Sequence, residues 1–422
     1  MAGAPVKPAT PSTFDSVAAA AQPGDIIELA AGSYAGFSFS RDGQPGKPIV
    51  IRSTAGAKFT SSISIQDRKH VHLVGLTVEG GRIRFDNSDS IAIMKCKVQA
   101  SASVAGDGII TWARAQDAYI ADNVVTGTST WAESSVGASG DNLGEGILVN
   151  GPGHVVEHNR ITGFRDNISF VEDDSQDQHS IDVLDNDIQQ ATDDGIEADF
   201  CEHNCRIMRN RLTNVFVAMS SQPGLGGPCY FIRNVVYNAI YVAAFKLHRG
   251  SVGDVALHNT IVKNGDALAV ESGTTHSRQY FRNNIFIGGA GGTFNSWDSG
   301  SGKVMNLAYA KDASFDYDGL GSTTGSFAGT YMSTSFSSVA EMQSKTTEKH
   351  GLQVSLSVFA STVAYPGTPF PAAAAPDLRL KAGSAAIDVG VALPNVNDGY
   401  AGAAPDLGAF ELGATPPAYG PR

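Results

Sequence analysis

An asparagine returns along this chain at intervals close to 25 residues, each time between two short β-branched segments. Tyr119-Ile-Ala-Asp-Asn123-Val-Val, Val155-Val-Glu-His-Asn159-Arg-Ile and Ile181-Asp-Val-Leu-Asp-Asn186-Asp-Ile align on it. Arg206-Ile-Met-Arg-Asn210-Arg-Leu, Tyr230-Phe-Ile-Arg-Asn234-Val-Val, Val255-Ala-Leu-His-Asn259-Thr-Ile and Tyr280-Phe-Arg-Asn-Asn284-Ile-Phe continue the series. The steps are 36, 27, 24, 24, 25 and 25 residues, and His72-Leu-Val-Gly75 and Ala92-Ile-Met-Lys95 fit the same frame upstream. Each unit is a strand, a polar turn and a second strand, too small to bury a face alone, so the units must stack.

A further strand follows each asparagine, read in Gly106-Asp-Gly-Ile-Ile, Gly144-Glu-Gly-Ile-Leu, Arg165-Asp-Asn-Ile-Ser, Asp193-Asp-Gly-Ile-Glu and Gly265-Asp-Ala-Leu-Ala. Asparagine suits the turn because it tolerates left-handed backbone and its amide bonds backbone groups. Stacked asparagines are expected to bond one another in a ladder along the coil axis. Glycine, 47 of 422 residues, and a charged fraction of only 17% exclude a coiled coil. A net charge of −12 gives no general attraction for nucleic acid or an anionic membrane. No run of eighteen apolar residues is present to span a bilayer. Met1 to Ala30 lacks a basic start followed by an apolar run, although a chain whose signal had been removed would read the same.

The repeat resembles that of the right-handed parallel β-helix proteins that degrade polysaccharides: pectate lyases, alginate lyases, chondroitinase B and polygalacturonases. The likeness covers Ile49 to Gly288 directly and extends to the flanks. Thr13-Phe-Asp-Ser-Val-Ala-Ala-Ala-Ala-Gln-Pro-Gly-Asp-Ile-Ile-Glu-Leu resembles their capping helix and first strand, and Gly43-Gln-Pro-Gly-Lys-Pro-Ile-Val-Ile-Arg-Ser a segment of the alginate and dermatan-sulfate lyases. Gly383-Ser-Ala-Ala-Ile-Asp-Val-Gly and Ala404-Pro-Asp-Leu-Gly-Ala-Phe-Glu resemble the endings of bacterial β-helix proteins. The expected fold is therefore all-β: a single right-handed parallel β-helix of about ten rungs with an N-terminal helical cap. Residues 1–300 would form the capped coil and 301–422 an irregular, loop-rich segment packed on it or capping it. Within the latter, Ser338-Val-Ala-Glu341 before Met342 is a capping box that predicts a helix.

Strand alternation assigns faces. Ile109, Ile147, Ile168, Ile196, Val217, Tyr241 and Leu268 should point inward, leaving Glu197 and Asp199, Ser220 and Gln222, Lys246 and His248, and Glu271 outward on successive rungs about 4.8 Å apart. Four carboxylates within seven residues, Asp193, Asp194, Glu197 and Asp199, demand a cation, a basic side chain or shared protons. Phe245-Lys-Leu-His-Arg249 supplies the opposite charge.

A polyuronate lyase must neutralise the substrate carboxylate, remove the α-proton and protonate the leaving oxygen. Lys246 is the expected base, its pKa lowered by nearby cations and burial, with His248 or Arg249 as its catalytic partner. Asp194, Glu197 and Asp199 are the expected Ca²⁺ ligands, since Ca²⁺ prefers oxygen. Gln222, Glu271 and Asp194 are expected to contact substrate. In the alginate and dermatan-sulfate lyases an arginine stands one rung beyond the lysine, where this chain reads Leu268-Ala-Val-Glu271-Ser-Gly273. The alternative chemistry is inverting hydrolysis of polygalacturonase type on Asp193, Asp194 and Asp199, and a non-catalytic carbohydrate-binding β-helix is a third reading. The expected partner is an anionic polysaccharide, with no nucleic acid and no membrane, and the expected state a secreted or periplasmic monomer. Of the four cysteines, Cys205 and Cys229 hold equivalent repeat positions beside Cys201 and His203. A disulfide, a zinc site and buried thiols all stay open for them.

Overall fold

The computed structural model describes residues 3–173, 175, 177–222, 224–247, 249–270, 273–367 and 370–422. His248 and Glu271 lie outside the described residues. The chain is a right-handed parallel β-helix whose strands fall into stacked parallel columns. It divides into two compact units, residues 1–130, 142–187 and 418–422 in the first, and 131–141 and 188–417 in the second.

In the first unit the column preceding the asparagine turn holds eight parallel strands, from Val6–Ala9 and Ile26–Leu29 through Val71–Val74 to Val155–Glu157 and Asp182–Leu184. Register places Ile27, Ile51, Leu73, Ile93, Ile120, Val156 and Val183 in one file. All seven are fully buried, and each such side chain contributes about 1.5–3 kcal/mol on leaving water. The following strands stack as Thr77–Glu79, Lys97–Gln99, Val124–Thr126 and Arg160–Phe164. The third column files Ile63, Ile83, Ile109, Ile147 and Ile168 inward, as alternation predicts for the last three. The helix Phe14–Ala19 closes the open end of this unit by setting Phe14 edge-on against Tyr34, Phe37 and Phe59.

In the second unit five strands, from Cys205–Met208 to Ser314–Asp316, file Ile207, Phe231, Ala256, Phe281 and Phe315 into the core. Strands Gly319–Ser322 and Leu352–Gln353 add to the column after the turn. The helix Val339–Lys345 begins at Ser338, whose Oγ accepts from Glu341 N at 3.2 Å. The returning Glu341 carboxylate takes Ser337 N at 2.7 Å, one residue earlier than a capping box requires.

The asparagine ladder is present in both units. In the first, Asn123 N and Nδ2 donate to Asn159 Oδ1, and Asn159 repeats the pair with Asn186. In the second, Asn210, Asn234, Asn259 and Asn284 follow in order and end on the Asp318 carboxylate. The left-handed residue is not the asparagine but the one before it: Asp122, His158, Asp185, Arg209, Arg233, His258 and Asn283 have φ between 52° and 60°. The asparagine amide then turns inward, and the ladder's hydrogen bonds offset the strain of non-glycine residues in that region.

Candidate active site

The strand Asp187–Glu197 carries Asp193, Asp194 and Glu197, and Asp199 follows two residues beyond its end. Gly195 lets this strand lie close to the next rung, because a Cβ there would come within 2.6 Å of Leu212 Cδ2 and 2.8 Å of the Ala218 carbonyl oxygen. On that next rung Met219 pairs with Phe245 and Ser220 with Lys246. Phe245 in turn pairs with Val270, so Met219, Phe245 and Val270 form the inward file. This corrects the expected position of Tyr241. Residues 241–244 bend rather than extend, and Tyr241 packs against Phe216 and Trp297 in an aromatic group with Phe294 and Val136. Counting from the glycine fails there because the turn length changes, although the alternation that puts Lys246 opposite in sense to Phe245 survives.

Lys246 therefore projects beside the acidic strand. Its ammonium bonds the Asp194 carboxylate directly and lies 3.6 Å from Glu197 Oε1, with 13% of the side chain exposed. Burial alone would lower the lysine pKa, but the surrounding carboxylates of Asp194, Asp199, Glu197 and Asp193 outweigh it and hold the amine well above its ordinary range. The expectation of an amine lowered by neighbouring cations is thus reversed: carboxylates surround it. Arg249 sits exposed in the turn that follows, with φ of 53°.

Asp199 lies deeper than a groove-lining position. It is fully buried, and its Oδ1 accepts Ser220 Oγ at 2.6 Å and Gln222 N at 3.1 Å. Burial pushes its carboxyl up to about 7 against the pull of Lys246, with Asp194 adding to the rise. Its Oδ2 and the Oε1 of buried Gln222 have no hydrogen-bond partner among the described residues. An acidic oxygen set with an orphaned buried carboxylate oxygen matches the donor chemistry of a hard divalent cation. Glu197 and Asp199, whose carboxylate oxygens lie within 4.8 Å of each other, are the residues that would hold it, whereas the expected third ligand, Asp194, is bonded to the Lys246 ammonium.

Some acidic residues were not selected from the sequence. In the first unit Glu145 and Asp166 are register partners, and Glu145 accepts Ser169 Oγ at 2.5 Å. Asp107, ahead of Ile109, ion-pairs with Arg82 at 2.5 Å and accepts Glu145 N at 3.4 Å. The signal was in the repeated strand: an acid stands two residues before the inward isoleucine in Asp107, Glu145, Asp166 and Asp194 alike. Lys263, which reads from its sequence as an ordinary lysine of the coil, is instead fully buried. Its ammonium bonds the carbonyls of Asn264 and, at 2.9 Å, Asp266, and burial brings its pKa down to about 7.

No sequence family and no curated protein matches this chain. Solved structures do. A pectate lyase, Pel9A, superposes with a TM-score of 0.51 at 16% identity, covering 96% of both chains. A family 6 alginate lyase, AlyGC, gives 0.41 at 12% identity over 81% of this chain and 56% of its own. A family 6 polysaccharide lyase from Pseudopedobacter saltans gives 0.41 at 11% identity over 90% and 99%. The likeness to Pel9A is one of fold, the parallel β-helix.

Proposed function

We propose that this chain is a polysaccharide lyase that cleaves a uronate-containing polysaccharide by β-elimination, with Lys246 as the base. The observation that supports the reading is the partly exposed Lys246 amine set among Asp194, Glu197 and Asp199 on one face of the coil. A hard divalent cation such as Ca²⁺ on the carboxylates of Glu197 and Asp199 would offset part of the charge that keeps Lys246 protonated and would attract the substrate carboxylate. Lys246 takes the α-proton, the C4–O bond breaks, and the leaving oxygen takes a proton from water while Arg249 in the adjoining turn balances the charge. Gln222, expected to contact substrate, is only 3% exposed with its Oε1 out of solvent contact, so it belongs to the wall and makes no contact with the sugar. Ser220 and Asp199 fix the wall behind these groups through their 2.6 Å hydrogen bond.

A polymer substrate fits a secreted or periplasmic protein, and we take it to act as a monomer. Among the described residues no helix is long and apolar enough to cross a membrane. The test is incubation with a panel of anionic polysaccharides, reading new ultraviolet absorbance beside new reducing ends. Elimination creates an unsaturated sugar and gives both signals. Reducing ends without absorbance would overturn the lyase reading in favour of a hydrolase on Asp194.

A further inference from the structure

Three of the four cysteines lie in the second unit, beginning in the turn that follows Asp199. Cys205 and Cys229 are register partners on neighbouring strands, so their backbones lie about 4.8 Å apart with side chains side by side. Cys201 enters from the turn after the acidic strand, four residues before Cys205, and burial together with the neighbouring Cys205 and Cys229 thiols raises its own thiol well above the ordinary range. All three are completely buried. The next position in the file is Asp254, paired with Cys229, whose Oδ2 is occupied by Ser251 Oγ at 2.7 Å and Gln279 Nε2 at 2.9 Å. Among the described residues, no group of three or more His, Cys, Asp or Glu ligand atoms gathered within 4.8 Å includes these sulfurs, which argues against a zinc centre. The turn that delivers Cys201 is strained: Phe200 and Asn204 have φ of 53° and 58°, and a bulky residue such as Phe200 rarely adopts that region without being held there.

We propose that Cys201 is the hub of a disulfide that closes on either Cys205 or Cys229, the third cysteine remaining a thiol that can exchange into the bond. In forming, two S–H groups lose two protons and two electrons to a disulfide oxidant such as oxidised glutathione, which is reduced to two thiols. In the exchange the remaining thiol, as thiolate, attacks the Cys201 sulfur, the first partner leaves as thiolate and takes up the proton, and no net oxidation occurs. Because the sulfurs are sealed from solvent, the bond forms as the chain folds. It then pins the turn that follows Asp199 to the two rungs beside it, holding the strained Phe200 backbone in place.

The test is to fold the wild type and three serine variants in a glutathione redox buffer, count thiols after denaturation and map cross-linked peptides by mass. Cys96 is an internal reference, since it lies in the first unit with its thiol on the Met94 carbonyl at 3.3 Å. In the wild type, with its four cysteines, half the thiols should disappear and both Cys201 pairings should be found. Cys205→Ser and Cys229→Ser should each keep one disulfide and leave only Cys96 titratable, whereas Cys201→Ser should keep all its thiols. A Cys205–Cys229 cross-link in any form overturns the hub. So does a wild type whose thiols all survive the oxidising buffer, or one that retains an equivalent of zinc. Should a variant fail to fold, the wild-type peptide map decides alone.

Discussion

Replacing Asn259 by alanine removes the middle of the second unit's ladder. Its Oδ1 accepts both Asn234 N and Asn234 Nδ2 at 3.0 Å, and its Nδ2 donates to the Phe231 carbonyl at 2.8 Å and to Asn284 Oδ1 at 2.9 Å. Asn284 Oδ1 keeps the bond from Asn259 N at 2.8 Å, so the damage concentrates on Asn234 and Phe231. Two buried donors and one carbonyl lose a partner where water cannot replace it. At about 1–3 kcal/mol for each orphaned group, with some relaxation, the loss is roughly 3–5 kcal/mol. Scaled by the usual unfolding entropy per residue, that lowers Tm by about 3–6 °C if the whole chain melts together and about 6–10 °C if the second unit melts first. Thermal unfolding followed by circular dichroism measures it. Asn259→Asp keeps the acceptor and loses the donors, so it should fall between alanine and wild type, nearer wild type at low pH where the acid is protonated. An alanine variant melting within 1 °C of wild type would refute the view that the ladder is a source of stability.

Other outcomes follow from the same structure. Burial lifts Asp318, at the ladder's end, to about 6 and raises Glu348 beside it well above the carboxylate range. The folded state therefore binds protons more tightly than the unfolded chain, so stability should be greatest below about pH 4 for this pair and fall as pH rises through about 6. Asp318→Asn should flatten that slope in a Tm-against-pH series, and an unchanged slope would remove the pair from the account. Gly195→Ala should lose about 1–3 kcal/mol of stability, and activity with it, because its Cβ has no room against Ala218 and Leu212; normal stability and turnover in that variant would show that the rung can shift. Chelation should switch activity off and added Ca²⁺ restore it, whereas full turnover in excess chelator would leave Glu197 and Asp199 without a metal role.

The coil was legible because its signal is repeated. Each turn repeats the same inward file, and errors in one turn are corrected by its neighbours, as the isoleucines at 109, 147 and 168 illustrate. The site was only partly legible, because it depends on where single turns lengthen. Alternation paired Lys246 with the acidic strand, yet it could not tell that residues 241–244 bend or that Asp199 sinks beneath Ser220 and Gln222. Nor could it give the sign of the Lys246 shift, which depends on side chains from separate rungs. The left-handed residue before each asparagine was missed for a related reason: composition marks the turn, but the direction of the amide fixes which residue bends. Burial of Lys263 was hidden because a lysine reads as surface wherever its carbonyl partners are not visible.

The central claim is that Lys246 removes the substrate proton, and the most direct measurement is kcat for Lys246→Ala on the polysaccharide that gives the absorbance signal. Lys246→Arg serves as a second variant that keeps the charge beside Asp194, and exposed Lys311→Ala as the control. General-base catalysis contributes about 10²–10⁴-fold, so both position 246 variants should lose at least ~10²-fold in kcat with KM little changed, and the control should lose little. Near-full turnover in Lys246→Ala, with activity abolished instead by Asp194→Asn, would contradict the account and assign the chemistry to the carboxylates.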